Sequence, residues 1–243
     1  MRRRPRRSTD SQDVFSLTRA AVGRATRVVR ASSSTLVQAT ILPPTTELTY
    51  PWLPPKRQSA HPPQQAYRLD VELRAEGGLV LRQPRAGDLD AVVKACSDPD
   101  IPRFIPFIPV PYAREDAEAW LQLVTRAWGE SDERTFAIID EERDPQLQGV
   151  VTVRLREDGT VGYWLAPWAR GREVMTASVH AIVEWACAVQ GVSRLLLTAH
   201  PDNVASQRVA ERTGFTRVGM TDHQPPFRDG LTTAVLFEFR RHS

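Results

Sequence analysis

Apolar residues recur at two different spacings between residues 75 and 240, and the spacing separates helices from strands. Apolar positions three or four apart are typical of a helix with one buried face. They predict helices at 89–96 (capped by Asp88), 115–128, about 172–190 and 203–213. The last of these ends before Gly214. Apolar runs bounded by turn residues predict strands at 78–82, 135–139, 149–154, 161–165, 194–198, 214–218 and 231–239.

The order of these elements, β-α-α-β-β-β-α-β-α-β-β, predicts an α/β domain over residues 75–243, with a mixed sheet flanked by helices. The acidic Glu157-Asp158-Gly159 is predicted to form a hairpin turn. Residues 101–112, IPRFIPFIPVPY, contain prolines that forbid a regular helix. We therefore predict a loop here that packs against the domain or lines a pocket.

The first 74 residues have a different composition, rich in Arg, Ser and Pro, and no apolar periodicity lasts long enough to build a core. We predict a disordered basic tail. Its alternatives are an organellar transit peptide, a basic arm for RNA or anionic lipid, or sequence upstream of the true start codon. Residues 1–60 carry a net charge of +8 and the remainder −5, so the pI of about 9.2 reflects the tail. Nucleic-acid binding is accordingly expected only through the tail.

The sequence contains no signal for a membrane-spanning protein, a disulfide scaffold, a metalloprotein or several common classes of hydrolase. No run of 18 apolar residues predicts a membrane-spanning helix. Cys96 and Cys187 lie in predicted helices and are expected to be small buried hydrophobes rather than a disulfide or redox pair. The five histidines are scattered, so we expect no metal site. No GxSxG, GxxxxGK[ST] or HExxH motif is present.

Candidate chemistry is concentrated between residues 161 and 219. The predicted strand VGYWLAP leads through Arg170-Gly171-Arg172 into the long helix, whose unpaired N–H groups and positive dipole end favour an anion. The alternative is that both arginines are solvated and Gly171 only forms a turn. Downstream, Asn203 and Ser206 open the 203–213 helix after a strand, and Asn203 alone is also explained as an N-cap.

Together GYWLAPWARGR and HPDNVASQRVAERTGF, at this spacing, resemble the GNAT superfamily of N-acyltransferases, in the RimJ/RimL-like branch of ribosomal-protein N-terminal acetyltransferases. The resemblance spans residues 78–240. It implies a GNAT fold, with a mostly antiparallel sheet that splays open at an acyl-CoA cleft. It also implies acetyl-CoA as the co-substrate and no metal.

The same resemblance assigns roles to individual residues. Backbone groups of Trp164, Leu165 and Ala166 would pair with the pantetheine arm. The pyrophosphate would rest on the segment that contains Arg170, Gly171, Arg172, Val174, Met175 and Thr176. Asn203 and Ser206 would face the thioester, with the Ser206 hydroxyl protonating the leaving thiolate. His200 could relay a proton, and its alternative is an exposed loop residue.

Two departures from the family pattern stand out. Glu173 occupies the position of the second glycine of the loop, and Met175 that of a Gly or Ala. Either Glu173 points outward and CoA binds, or the site is degraded. The acid that many relatives carry on the strand before GYW is replaced by Thr160 and Val161. An α-amine is about 15% unprotonated at pH 7 and a lysine below about 0.1%, so the missing acid favours a weakly basic acceptor.

The sequence thus predicts a cytoplasmic N-acetyltransferase that moves acetyl from acetyl-CoA to a primary amine by direct attack in a ternary complex. Residues 101–112 and 224–230 would shape the acceptor site. A ribosomal protein, an amino sugar and a small-molecule amine remain open as acceptors. The alternatives are a catalytically degraded CoA-binding protein of the same fold and a ribosome- or nucleic-acid-tethered protein that uses the basic tail.

Overall fold

A computed structural model describes residues 26–30, 36–40, 71–155, 158–188 and 190–241. The chain divides into two units, Met1–Leu48 and Thr49–Ser243. In the first unit, strands β1 (Thr26–Arg30) and β2 (Leu36–Thr40) pair antiparallel, and the sequence pattern did not predict them. Most of the predicted tail, residues 1–74, lies outside the described residues, so its disorder stays a prediction.

The second unit contains an eight-stranded sheet in the order β3-β4-β5-β6-β7-β8-β10-β9. Its strands are β3 (Leu73–Ala75), β4 (Leu79–Arg82), β5 (Glu133–Asp140), β6 (Asp144–Arg154), β7 (Asp158–Leu165), β8 (Arg194–Ala199), β9 (Thr216–Asp222) and β10 (Thr233–Arg240). All neighbours pair antiparallel except β7 and β8, which are parallel. The predicted mixed, mostly antiparallel α/β class is confirmed.

Five α-helices accompany the sheet in the described part of this unit: α1 (Leu89–Cys96), α2 (Asp100–Phe104), α3 (Arg114–Glu130), α4 (Val174–Ala188) and α5 (Val204–Arg212). The seven predicted strands and four predicted helices are all present. The predicted loop 101–112 was wrong in part, because α2 occupies its start. Pro102 is tolerated there because it lies in the first turn, where no intrahelical N–H bond is needed.

Two further sequence predictions need refinement. Of the predicted hairpin turn, Glu157 lies outside the described residues, while Asp158 and Gly159 begin β7 by pairing with β8. Both nevertheless lie on the turn side of the last β6–β7 pair, Arg154 and Thr160. Asp88 does precede α1, but its carboxylate accepts no hydrogen bond from the backbone N–H groups of α1. It pairs instead with Arg82, at 2.8 Å and 2.9 Å, and accepts the backbone N–H of Arg85 at 2.7 Å. An Asp before a helix has several possible partners, and here a strand arginine binds it.

Helices cover both faces of the sheet. Successive side chains of a strand point to opposite faces, so each strand contributes to the packing on both sides. Phe136 and Ile138 of β5 pack in one cluster with α4, while Ala137 and Ile139 pack in another with α1 and α3. Both cysteines are buried, as predicted, and burial raises the pKa of Cys96 to about 12. In the described part of the chain, no helix is long and apolar enough to cross a membrane.

Candidate active site

The sheet opens between its two parallel strands. Among the described residues, the ladder between β7 and β8 has three rungs and ends at Thr160 and Leu196. Beyond that point β7 stays paired with β6 up to Leu165, and β8 stays paired with β10 up to Ala199. The strands therefore part, and backbone polar groups along the opening are left without sheet partners. Such groups are normally satisfied by water or by a ligand.

The hydrogen bonds at the end of β7 show which backbone groups face the opening. Ala166 donates its N–H to the Gln148 carbonyl, and its own carbonyl accepts from Ala169, both at 2.9 Å. Backbone groups of successive strand residues alternate between the two edges of a strand. Trp164 thus directs its backbone groups, and Ala166 its N–H, toward β6, whereas Leu165 and Tyr163 direct theirs into the opening. Of the three residues expected to pair with pantetheine, only Leu165 has its backbone groups on that side.

The segment between β7 and α4 presents backbone N–H groups. Gly171 and Glu173 both have left-handed backbone conformations, with φ of 75° and 56°. Alternation of left-handed and other conformations turns neighbouring N–H groups inward to form an anion-binding concavity. The first α4 bond runs from the Ala177 N–H to the Glu173 carbonyl, so the N–H groups of 174–176 have no intrahelical partner. We call residues 170–176 the anion loop.

The two arginines of the anion loop pair with acidic side chains, and the Arg170 side chain is still 40% exposed. Arg170 pairs with Asp98 at 2.8 Å and Asp100 at 3.1 Å. Arg172 lies 3.5 Å from the buried Asp140 and also donates to Gln148. The Nε of Arg172 is buried without a hydrogen-bond partner. The loop offers an anion its backbone N–H groups, while both guanidinium groups anchor it to the domain.

The two residues that depart from the family pattern differ in where their side chains lie. Val174 and Met175, the first two residues of α4, are buried in the core. The Glu173 side chain is 62% exposed and forms an ion pair with Arg212, the last residue of α5. This bond, with one from Thr176, holds the pKa of Glu173 below its ordinary value. Of the two alternatives for Glu173, the structure shows the outward one.

Helix α5 brings a hydroxyl to the cleft strand. The Asn203 side chain accepts the Ser206 N–H at 3.0 Å, which makes Asn203 the N-cap of α5. Ser206 Oγ lies 3.1 Å from the hydroxyl of Tyr163 on β7, and that hydroxyl also lies 3.1 Å from the Ser206 carbonyl oxygen. Sequence reasoning did not single out Tyr163. Its only signal was the position in Gly-Tyr-Trp on the cleft strand.

His200 is buried, so the alternative of an exposed loop residue is wrong. Its Nδ1 accepts the Asp202 N–H at 3.0 Å, and its Nε2 lies 2.9 Å from the Asp229 carboxylate. The proton of a neutral ring therefore resides on Nε2. Phe104 and Phe227 pack against the ring, with centroids 5.4 Å and 4.6 Å away. Both ring nitrogens of His200 are therefore engaged by hydrogen bonds within the domain.

The two segments expected to shape an acceptor site lie together. Arg228, in 224–230, donates to the Pro102 carbonyl at 2.8 Å and also to the Ile108 carbonyl. Phe227 of this segment stacks on His223, which immediately precedes the segment, with ring centroids 3.9 Å apart. Both segments therefore meet beside His200. Across the described residues, no group of three or more His, Cys, Asp or Glu side chains is arranged to hold a metal ion.

Comparison with known proteins agrees with this geometry. The family model described as "Acetyltransferase (GNAT) domain" matches residues 78–216, more than half of the chain. A curated relative, the "Uncharacterized N-acetyltransferase YnaD" of Bacillus subtilis (strain 168), is 25% identical over 143 residues, which are 58% of this chain and 81% of the relative.

Solved structures share the fold. RimL, a ribosomal L7/L12 alpha-N-protein acetyltransferase solved in complex with coenzyme A, is 16% identical with a TM-score of 0.62, covering 70% of this chain and 98% of its own. Mycobacterium smegmatis RimJ in complex with CoA-disulfide is also 16% identical, with a TM-score of 0.60 and coverage of 70% and 86%. At this identity the structures show the fold alone. Through the domain matched over residues 78–216, the chain belongs to the GNAT acetyltransferase family and is an acyltransferase.

Proposed function

We propose that the chain transfers an acetyl group from acetyl-CoA to a primary amine, by direct attack in a ternary complex and without a covalent enzyme intermediate. The observation that carries the proposal is the parting of β7 from β8 beyond Thr160 and Leu196. The opening is bordered by unpaired backbone groups and by the Ser206 hydroxyl. An extended thioester with amide groups along its arm has the chemistry to fill it.

The chain's own residues fit the acyl donor along the opening. Backbone groups of Tyr163 and Leu165 would pair with the pantetheine amides as an added strand. The N–H groups of the anion loop would hold the diphosphate, aided by the dipole of the 15-residue α4. Asn203 would act by capping α5 and so placing Ser206, since its side-chain oxygen already accepts the Ser206 N–H.

The reaction needs one proton delivered and one removed. The amine nitrogen attacks the thioester carbonyl, and collapse of the tetrahedral intermediate breaks the C–S bond and leaves a thiolate. Ser206 is the hydroxyl placed to give the thiolate a hydrogen bond or a proton. The amine nitrogen loses its proton to water, and a relay of that proton through His200 stays a prediction.

The absence of a carboxylate on the cleft strand favours an α-amine as the acceptor. Thr160 and Val161, which stand where many relatives carry an acid, are both buried. An acceptor that is already partly unprotonated needs no strong base, and an α-amine near pH 7 meets this condition far better than lysine. A protein N-terminus, including that of a ribosomal protein, is therefore the acceptor class we favour, with cytoplasm as the site of action.

The degraded, CoA-binding alternative loses two of its three supports. Met175 is buried in the core, and the exposed Glu173 carboxylate is paired with Arg212 and bonded by Thr176, so the anion loop holds neither the Met175 side chain nor an unpaired carboxylate of Glu173. Only the missing acid remains, and an α-amine acceptor accounts for it.

Release of CoA thiol tests the proposed activity. Acetyl-CoA is mixed with a peptide that has a free N-terminus and no lysine, or with the same peptide N-acetylated and given one internal lysine. At pH 7 we expect the free α-amine to react at least about tenfold faster, because its unprotonated fraction is so much larger. Glucosamine and spermidine serve as small-molecule amines. If the folded protein binds acetyl-CoA but releases no thiol with any of these amines, the degraded alternative is correct.

A further inference from the structure

A pair of hydroxyl groups links the cleft strand to α5. The Tyr163 hydroxyl lies 3.1 Å from Ser206 Oγ and 3.1 Å from the Ser206 carbonyl oxygen. A phenol has one proton, so Tyr163 donates to only one of these two oxygens at a time, although its own oxygen can accept the Ser206 hydroxyl proton. The Ser206 hydroxyl proton is free for a ligand when Tyr163 donates to Ser206 Oγ, and it is tied to Tyr163 when Tyr163 donates to the carbonyl.

We propose that Tyr163 is a positioning residue for acetyl transfer: it donates to Ser206 Oγ and thereby directs the Ser206 hydroxyl proton at the thioester sulfur. The proposal rests on the proposed function, because it concerns the same leaving thiolate. It adds a residue on β7 to a proton path otherwise confined to α5. Cooperative polarisation along a chain of two hydroxyls also makes Ser206 a stronger donor than an isolated serine.

The proton balance of the step closes without a further reactant. The C–S bond breaks, its electron pair goes to sulfur, and the Ser206 proton follows to give the CoA thiol. The proton lost by the attacking amine enters water, and Ser206 recovers one from water, so the enzyme ends unchanged. Tyr163 keeps its own proton throughout. Burial raises the pKa of Tyr163 well above its ordinary value, so the phenol is a donor at every pH of interest.

The test is a double-mutant cycle with Tyr163→Phe and Ser206→Ala, measured as the single-turnover rate of acetyl transfer to the free-N-terminus peptide. Loss of one hydrogen bond predicts that Tyr163→Phe slows transfer about 3- to 10-fold, with KM for acetyl-CoA changed less than about twofold. In the Ser206→Ala background the same change should cost less than about twofold. Ser206→Thr, which keeps a hydroxyl, should recover most of the rate lost in Ser206→Ala.

Thr213→Val is the matched control, because it removes another buried hydroxyl at the end of α5. Thr213 Oγ1 donates to the Val209 carbonyl at 2.8 Å, away from β7. We expect this variant to keep the parent rate within about twofold.

The outcomes separate the positioning role from the proposed function. A parent that transfers no acetyl group overturns both. If the parent is active and Tyr163→Phe transfers acetyl at the same rate, the positioning role alone is overturned. If Tyr163→Phe slows acetyl transfer by the same factor in the parent and in the Ser206→Ala background, the positioning role is also overturned, because Tyr163 would then act through packing. Should Tyr163→Phe not fold, equal rates for Ser206→Ala and the parent would still overturn the role, because Tyr163 is proposed to act through the Ser206 hydroxyl.

Discussion

At the scale of single residues, Glu173 is the most unusual feature of the anion loop. Its φ of 56° is a conformation that glycine adopts freely and that costs other residues about 1–2 kcal/mol. Glu173 is nevertheless accommodated, and its carboxylate meets Arg212 from a different helix. The ion pair places a positive charge beside a carboxylate that could repel a bound diphosphate.

Arg212 is therefore expected to act as the counter-charge of the anion loop. Arg212→Gln should weaken acetyl-CoA binding about 3- to 10-fold at low salt, because Glu173 is then an unpaired carboxylate near the diphosphate. In a Glu173→Gln background the same substitution should change the Kd less than about twofold. Calorimetry of the four proteins checks this expectation. Equal weakening in both backgrounds would show that Arg212 acts independently of Glu173.

The sequence identified both residues that depart from the family pattern but could not predict where their side chains go. Met175 lies on the apolar face of α4, so its burial follows from helical spacing. Glu173 depends on a partner 39 positions away, which no local pattern reveals. His200 shows the same limit, because Asp229, which faces its Nε2, lies 29 positions away in another loop.

At the scale of elements, the geometry of the cleft strand depends on close packing against β6. A Cβ at Gly149 of β6 would lie 2.6 Å from the Trp164 carbonyl oxygen and 3.2 Å from the Leu165 Cα. Both atoms belong to the backbone of β7, which could relieve the clash only by moving. Glycine at this position lets β6 approach the strand that borders the cleft.

Gly149→Ala should consequently lower the free energy of unfolding by about 1–3 kcal/mol, the usual range for overpacking a well-packed site. Urea denaturation gives the measurement. Gly162→Ala on β7 is the matched control, because a Cβ there meets nothing within 4 Å. We expect the control to retain the parent's stability, and a Gly149→Ala variant as stable as the control would contradict the close approach.

Hydrophobic periodicity predicted the elements better than their arrangement. It located seven of the eight strands of the large sheet, but the three residues of β3 are too few for a period to register. The sheet order places β10 between β8 and β9, a non-sequential arrangement that spacing along the chain cannot give. Parting of β7 from β8 was expected only through the family resemblance, because it reflects where a ladder ends rather than any residue pattern.

At the scale of the whole molecule, charge and contacts both separate the N-terminal segment from the domain. The +8 of residues 1–60 contrasts with the −5 of the remainder, and contacts divide the chain at Leu48 and Thr49. All residues assigned to the donor site lie in the second unit. Binding of acetyl-CoA is thus expected to depend on the cleft and the anion loop, with the basic segment contributing no donor-site residue.

Calorimetric titration of acetyl-CoA into the full-length chain tests most directly whether the cleft holds the acyl donor. We expect one molecule bound per chain with a micromolar Kd, and we expect Glu173→Gly to bind at least as tightly because it removes a carboxylate and relaxes a left-handed position. Circular dichroism establishes that both proteins are folded. No heat of binding from either folded protein would contradict a donor site between β7 and β8, and the acetyltransferase proposal with it.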